Sequence, residues 1–372
     1  RQYTLFLGEN PLAVVRSAQD WWQLWLAQTS ALGMALGLAG LAQLVIPRQR
    51  LRKGWLLVLL VLVINLIFAL NYRVPDAEVF LLPALLAFAL LVAGGVALLL
   101  NLLQPWPRMA TACALLCLVL LALGVSGRGE AVNRRQDWAA HDYAVALAKT
   151  DFPRGSKLLA LEGEATALRY MQQAEGLGKN ATPLVADSPS QRRALLAELM
   201  AKQHPVYLTR ELEGIGSQYS FSGDGVLVRV WPRGQAQSGA PTHQVDALFA
   251  DGQLRLEGYD LVKLDQAGGP ALRLALYWRP TTPLTQTLKL SLRLQSPDGA
   301  PLRWPDGQAV QRDQYPLRLV AKTPDWLAGE RVRDVYDFPV PANTVGEAAR
   351  LGAILYDQQT LAEAGVWSAP AP

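Results

Sequence analysis

The chain has 372 residues, with 35 Lys and Arg against 31 Asp and Glu, and a formal net charge of +4. Residues 1–125 hold eight of the basic and four of the acidic residues, so residues 126–372 carry 27 of each and are neutral by this count. The small basic excess belongs to the first third of the chain. We therefore expect no nucleic acid as a partner, because a nucleic-acid-binding domain normally concentrates positive charge on its own surface.

Long apolar runs are confined to residues 31–125, where four segments reach the roughly 20 residues that a bilayer-spanning helix needs. None of these segments has the polar face that a helix of a soluble bundle would show. The sequence therefore predicts an α-helical transmembrane bundle, with the lipid bilayer as its surroundings. Its spans are expected at about 30–47, 54–72, 79–103 and 106–125, after a loop segment at 1–29.

Charges in the connecting loops orient the predicted spans. The link between the first two spans carries four basic residues and no acid: Arg48, Arg50, Arg52 and Lys53. Short loops rich in Lys and Arg stay on the cytoplasmic side. Residues 1–29, the loop after the second span and everything after residue 125 are then extracytoplasmic. The sequence predicts a multi-pass protein of the cell membrane.

Cysteine and histidine usage points away from a metal or redox centre. Cys113 and Cys117 lie one helical turn apart in the fourth predicted span, where packing against a neighbouring helix is the expected role. The extracytoplasmic part therefore has no disulfide framework. His141, His204 and His243 are scattered, so we expect no zinc site and no Ser-His-Asp triad.

The rest of the chain reads as two folded pieces. Residues 126–231 alternate helix and strand patterns and predict an extracytoplasmic α/β domain with a mainly parallel sheet. Residues 232–244 form a linker rich in Gly, Pro, Gln and Ser. Residues 245–372 contain short strands with period-two alternation, as in LRLALYW and LKLSLRL, and predict an all-β sandwich.

The stretch NYRVPDAEVF, residues 71–80, separates the second and third predicted spans with two carboxylates and a proline. Asp76 and Glu78 cost little free energy at the membrane boundary if they face water, and much if they face lipid. Three interpretations stay open. The two residues solvate a short turn, they form a salt bridge with Arg73 or Arg1, or they contribute to a donor or acceptor site.

Several stretches together resemble bacterial multi-spanning proteins of the GT-C superfamily that are related to protein O-mannosyltransferases. They are RQY at 1–3, QTSALGMALGLAGL at 28–41, NYRVPDAEVFLLPALLAFALLVAGG at 71–95, and HDYA…ALEGEATALRYMQQAEGL at 141–177. The later pattern LRLALYWRP…VRDVYDFPVP…LGAILYD resembles β-sandwich modules appended to such proteins. The Asp-x-Glu-x-Phe-x-x-Pro segment is the most specific of these motifs.

The resemblance implies a glycosyltransferase that moves a sugar from a polyprenyl-phosphate donor to a glycan or protein acceptor on the outer face of the membrane. Asp76 and Glu78 would then be accessory catalytic residues, and Arg73 and Arg1 would bind the donor phosphate through their guanidinium forks. In that superfamily a carboxylate in the first extracytoplasmic loop serves as base or metal ligand, and that loop would lie upstream of Arg1. Because the chain begins with Arg and shows no signal peptide, we expect the C-terminal portion of a longer protein. Dependence on a divalent metal ion is left open.

Two further groups of residues have a functional and a structural interpretation. Glu162 and Glu164 follow a predicted strand end, where open α/β sheets form ligand crevices, but they could equally cap the next helix. Five aromatic residues of the β portion could stack on sugar or form the core: Tyr277, Trp278, Trp304, Trp326 and Tyr336. A non-catalytic, membrane-anchored module that binds a glycan or a protein is the alternative function. A transporter is disfavoured because the spans lack internal charges.

Overall fold

The computed structural model describes residues 18–45, 49–72, 77–341 and 350–370. The chain divides into two compact units, Arg1–Asn133 and Arg134–Pro372. The described part of the first unit is helical, and the second is rich in β-sheet. This confirms the predicted order of a helical region followed by β-sheets.

Among the described residues of the first unit, four helices are long and apolar enough to cross a membrane, as predicted: Gln19–Leu44, Arg52–Asn71, Glu78–Leu102 and Pro107–Gly129. The α-helices that form these segments are α1 (Ala18–Gly40), α2 (Gln49–Asn71), α3 (Leu82–Leu102) and α4 (Pro107–Val132). Short 3₁₀ turns follow α1 and precede α3. Cys113 and Cys117 are free thiols on α4.

Helix α1 begins earlier than the predicted first span, and it is broken at the residue where that span was expected to start. Ser30 has φ 60° and ψ 164° inside the helix. Its hydroxyl accepts a hydrogen bond from the Gly33 N–H at 3.2 Å, as an N-cap does. Arg128 of α4 donates to the Ala27 carbonyl at 2.7 Å and satisfies a group that the break leaves without an intrahelical partner. The predicted loop segment 1–29 therefore contains a helical stretch from Ala18.

Glycines bring α1 and α3 into backbone contact. A Cβ placed on Gly40 would lie 1.9 Å from the Leu91 carbonyl oxygen, and one on Gly95 would lie 1.9 Å from the Leu36 carbonyl oxygen. No side chain fits at either position. Small residues at such crossings are typical of helices that pack in a bilayer, where close backbone approach replaces the hydrophobic effect as a source of affinity.

The second unit begins with three helices and a five-stranded sheet. The helices are α5 (Ala139–Ala148), α6 (Glu162–Tyr170) and α7 (Pro189–Ala201). The strands are β1 (Ser156–Ala160), β2 (Ala181–Val185), β3 (Val206–Leu208), β4 (Tyr219–Asp224) and β5 (Leu227–Pro232). Their order is β2-β1-β3-β5-β4. The sheet is mixed, since β1 pairs in parallel with β2 and β3 while the β4–β5 hairpin is antiparallel.

Local signals explain how these helices begin and end. Ser188 caps α7 by accepting the Gln191 N–H at 3.3 Å, and Pro189 occupies the first helical position. Gly176 stops the turn after α6 with φ 70°.

Successive side chains of β1 point to opposite faces of the sheet, so that both faces are covered by helices. Leu158 and Ala160 pack with α5 and α6, and Leu159 packs with α7.

Two four-stranded antiparallel sheets follow. One has the order β11-β8-β7-β6 and the other β10-β9-β12-β13. Their strands are β6 (His243–Phe249), β7 (Leu254–Gln266), β8 (Gly269–Pro280), β9 (Leu288–Gln295), β10 (Gln311–Gln314), β11 (Val332–Pro339), β12 (Arg350–Asp357) and β13 (Glu363–Pro370). Alternate residues of β8 and β9 are buried in one core, as two sheets packed face to face require.

The core of these two sheets continues into the α/β part. One cluster of buried residues contains Leu159 and Leu196 of the α/β part together with Leu274 and Leu290 of the two sheets. At the boundary, a Cβ on Gly223 of β4 would lie 2.9 Å from the Val335 backbone nitrogen of β11. The α/β part and the two antiparallel sheets are therefore packed as one body within Arg134–Pro372, which we call the body.

Candidate functional site

Four residues were predicted for catalysis or for donor-phosphate binding, namely Asp76, Glu78, Arg73 and Arg1, and the structure describes one of them. Arg1, Arg73 and Asp76 lie outside the described residues. Glu78 lies in the 3₁₀ turn Ala77–Leu81 that leads into α3, and its side chain is exposed. Their roles stay predictions.

Glu162 and Glu164 flank the start of α6 but have different surroundings. Glu162 is exposed and lies 3.5 Å from the Arg169 guanidinium in a surface ion pair. Glu164 is 12% exposed, and its carboxylate accepts the Leu161 N–H at 3.1 Å, which is the return bond of a capping box. Glu164 therefore caps the helix, and it also lines a cleft, whereas Glu162 does not line that cleft.

Two adjoining clefts lie between the α/β part and the antiparallel sheets. The first, of about 730 Å³, is bordered by Glu164, Arg210, Lys289 and Tyr315. The second, of about 630 Å³, is bordered by residues that include Trp138, Trp304, Arg312 and Asp337. Tyr143 and Arg318 line both clefts. We call the two together the Arg318 cleft.

The Arg318 loop has an unusual backbone. Leu317, Arg318 and Leu319 have φ of 48°, 52° and 64°, three successive residues in the left-handed region that side chains disfavour. Asp334 of β11 holds this loop by accepting the Leu317 N–H at 2.9 Å, and it also accepts the hydroxyl of Tyr336 on its own strand. Strained backbone persists only where the surrounding structure fixes it, and it is concentrated at functional sites.

Asp334 is buried without a cationic hydrogen-bond partner among the described residues. Desolvation raises the pKa of its carboxyl to about 7, although the Tyr336 hydroxyl, the Leu317 N–H and the Arg318 charge each act to lower that pKa. The same burial, and then the Asp334 charge, raise the pKa of Tyr336 well above its usual value. The loop is thus anchored by a carboxyl group whose charge changes close to neutral pH.

The cations of the cleft differ in how they are satisfied. The Arg210 Nε donates to Glu164 at 3.0 Å, so this pair neutralises itself. The Lys289 ammonium lies 5.3 Å from the centre of the Tyr315 ring, a cation–π contact. Arg312 donates one hydrogen bond, at 2.5 Å, to the Asp337 carbonyl. Burial lowers the pKa of Arg312, and the neighbouring Arg318 charge lowers it further.

Aromatic side chains complete the cleft. Tyr143 is half-buried, and desolvation, followed by the Glu164 charge, raises its pKa to about 12, so its hydroxyl stays a hydrogen-bond donor at neutral pH. Trp138 is 41% exposed, and Trp304 packs partly against the core. Four of the five aromatic residues considered for a sugar-stacking face are instead core residues with at most 5% exposure: Tyr277, Trp278, Trp326 and Tyr336. Of that set, Trp304 borders the Arg318 cleft, and Tyr277 lines a separate pocket of about 290 Å³.

The groups that border the cleft are arginine and lysine donors, aromatic rings and carboxylates. Within the described ranges, no group of three or more His, Cys, Asp or Glu side chains is placed to hold a metal ion. The Glu164 carboxylate is occupied by donors from Leu161, Thr209 and Arg210. What the cleft offers is arginine donors beside aromatic rings. Sequence reasoning missed Arg312 and Arg318 because nothing in QRDQYPLRL marks a site.

Comparison with known proteins does not identify the chain. No protein-family model and no curated protein matches it. A β-glucuronidase from Bacteroides uniformis is 14% identical, with a TM-score of 0.23 over 43% of this chain and 17% of that one. An outer membrane lipoprotein domain from Porphyromonas gingivalis is 12% identical, with a TM-score of 0.20 over 36% of this chain and 97% of that one. This chain thus spans 17% of the length of the glucuronidase, and TM-scores this low do not indicate a shared fold.

Proposed function

We propose that this chain is the C-terminal portion of an integral-membrane, GT-C-like glycosyltransferase. It takes a sugar from a polyprenyl-phosphate donor and transfers it to an acceptor outside the membrane. The four long apolar helices cross the cell membrane, and the α/β part and the β-sandwich lie on the extracytoplasmic side. The basic residues at 48–53 support this orientation, because a short basic loop stays in the cytoplasm.

The observation that carries the proposal is the order of parts along the chain. Four candidate spans precede a folded body whose cleft presents arginines and aromatic rings. Such a cleft suits a glycan, since aromatic faces pack on the apolar faces of sugar rings and fixed polar groups orient the hydroxyls. The body then holds the acceptor or the growing glycan near the membrane, and Asp76 and Glu78 act at the membrane boundary.

The test uses the full-length parent protein in membranes supplied with a labelled polyprenyl-phosphate sugar. Asp76→Asn is expected to lower sugar transfer by about 100-fold while its abundance in the membrane stays normal, because loss of a positioned acid or base costs this much in rate. Glu78→Gln is expected to act in the same direction. Asp306→Asn is the control, since Asp306 is an exposed turn carboxylate in the body that accepts the Gln308 N–H of its own turn.

Wild-type rates of sugar transfer in both loop variants would mean that Asp76 and Glu78 only solvate a short turn.

The second candidate function is that of a membrane-anchored module that binds a glycan or a protein without catalysis. The Arg318 cleft favours this candidate because it offers binding groups without an evident nucleophile. Absence of any transfer by the full-length protein, together with glycan binding by the body, would select this alternative.

A further inference from the structure

Arg318 is the least satisfied cation of the cleft. Its side chain lines both halves of the cleft and makes no hydrogen bond or ion pair with the described part of the chain. Arg312 stands beside it and, within the described part of the chain, donates only to the Asp337 carbonyl. Two guanidinium groups close together repel each other, and a shared anion between them would turn this repulsion into attraction.

Two carboxylates that border the half of the cleft containing Arg312 are already engaged, whereas Glu211 and Asp313 border the other half with Arg318. Asp337 receives two hydrogen bonds from Arg273, at 2.7 and 2.9 Å. Asp142 accepts the Ala267 and Gly268 N–H groups at 3.0 and 2.8 Å. Desolvation acts to raise the pKa of Asp142, but these bonds and the contact with His141 outweigh it, so the pKa of Asp142 is lowered. Carboxylates committed in this way are poor additional partners for Arg312 and Arg318.

The surrounding structure fixes the backbone from which the Arg318 side chain extends. Its loop is in the left-handed region at three successive residues and is tied to Asp334. A residue whose backbone is fixed before the ligand arrives loses less conformational entropy on binding. Trp304 borders the same half of the cleft as Arg312 and Arg318, so a ring and an anionic group can be held together.

We propose that Arg312 and Arg318 bind the anionic group of an acidic saccharide, a carboxylate or a phosphate, whose sugar ring packs against Trp304. This inference rests on the proposed glycan-binding role of the cleft and adds the charge of the glycan to it. Guanidinium groups match both anions because their parallel N–H donors fit two oxygens at once.

The test measures binding to the full chain in detergent. The probes are a galacturonic acid trisaccharide and its methyl ester, which keeps the rings and removes the charge. The wild-type chain is expected to bind the acid at least about tenfold more tightly than the ester. Arg318→Gln should lose about tenfold in affinity for the acid and less than about twofold for the ester. Arg255→Gln is the matched control, since Arg255 forms an exposed ion pair with Asp246 on the sheet.

A second pair of probes, mannose 6-phosphate and mannose, identifies the anion. Preference for the phosphate sugar over its neutral partner supports a phosphate group, and preference for the galacturonate alone supports a carboxylate. Arg318→Lys keeps the charge, and thermal unfolding of each variant shows that the body is folded. This variant is expected to bind the acid more tightly than Arg318→Gln and less tightly than the wild type.

Three results would overturn the inference. Equal binding of acid and ester shows that the cleft takes glycans without regard to charge, which leaves the proposed function standing. Equal losses in Arg318→Gln and Arg255→Gln place the site elsewhere. Binding of inorganic phosphate as tight as that of any sugar removes the saccharide from both proposals. The transfer assay on the loop variants tests catalysis alone. A failure of the proposed transferase activity can therefore be distinguished from a failure of the proposed anion site.

Discussion

At the scale of single residues, Asp334 connects the core of the body to the candidate site. Its carboxyl is 1% exposed and fixes the loop that presents Arg318. The pKa of this carboxyl is about 7 in the folded state, against an ordinary value of 3.8. A raised pKa means that the folded state holds the proton more tightly than the unfolded state. Its contribution to stability is therefore present at low pH and is lost as pH rises toward about 7.

We expect the melting temperature of the body to fall between about pH 4 and pH 7 partly because of this group. Asp334→Asn removes the titration and keeps an oxygen that can accept the Leu317 N–H. The variant should therefore show a flatter dependence of melting temperature on pH, measured on the detergent-solubilised chain. Asp306→Asn, at an exposed turn, should keep the wild-type slope. An unchanged slope in Asp334→Asn would show that Asp334 is charged in the folded body throughout this range.

Glu164 illustrates how a sequence can support two interpretations that are not exclusive. Its position at the start of a predicted helix indicates a cap, because Glu is favoured at a helix N-terminus, and its position after a strand end indicates a crevice. The structure gives it the cap hydrogen bond and also a place in the cleft wall. Position along the chain could not show that its carboxylate would be occupied by Thr209 and Arg210, because these residues follow a later strand.

At the scale of elements, the contact between α1 and α3 depends on two glycines. Gly95→Ala places a methyl group 1.9 Å from the Leu36 carbonyl oxygen, a backbone atom that cannot move without shifting the helix. We expect this variant to lose about 1–3 kcal/mol of stability, as overpacked interiors do. The measurements are its abundance in the membrane and its thermal stability in detergent.

Gly124→Ala on α4 is the matched control, because a Cβ there meets nothing within 4 Å. It should be as stable as the wild type or slightly more so, since alanine is favoured over glycine in a helix by up to about 1 kcal/mol. Equal stability of the two alanine variants would mean that α1 and α3 are not packed through Gly40 and Gly95.

Periodicity predicted most of the elements, because it reports which face of an element is buried. In β8 the alternation of LRLALYW places Leu272, Leu274, Leu276 and Trp278 in the core, as expected. The break at Ser30 was not predicted, since Thr and Ser in an apolar run do not by themselves stop a helix. Polar cap bonds with Gly33 and Arg128 make the break favourable, and these depend on packing between helices.

At the scale of the whole molecule, the α/β part and the antiparallel sheets of the second unit pack together as one body, whereas the sequence indicates two domains joined by a linker. The polar composition of residues 232–244 predicts a linker between two domains. In the structure Ser238 is nearly buried and donates to the Arg331 carbonyl at 2.8 Å, and Ala236 donates its N–H to Glu330. Composition alone could not show this, because a polar segment can be solvated or can satisfy buried groups of a neighbouring sheet. The cleft exists because the α/β part and the sheets pack together.

The central claim is that the four apolar helices cross a membrane and that the body lies on its outer face. Two cysteine variants test it in a background with Cys113 and Cys117 changed to alanine. Lys263 is an exposed residue of the body, and Lys53 is an exposed residue near the start of α2, in the predicted cytoplasmic loop. Each is changed to cysteine in a separate variant.

The measurement is labelling of intact cells with a maleimide that cannot cross the membrane. The account predicts that Lys263→Cys is labelled in intact cells, whereas Lys53→Cys is labelled only after the membrane is permeabilised. Labelling of Lys53→Cys in intact cells, with Lys263→Cys protected until permeabilisation, would contradict the account and place the body and its cleft in the cytoplasm.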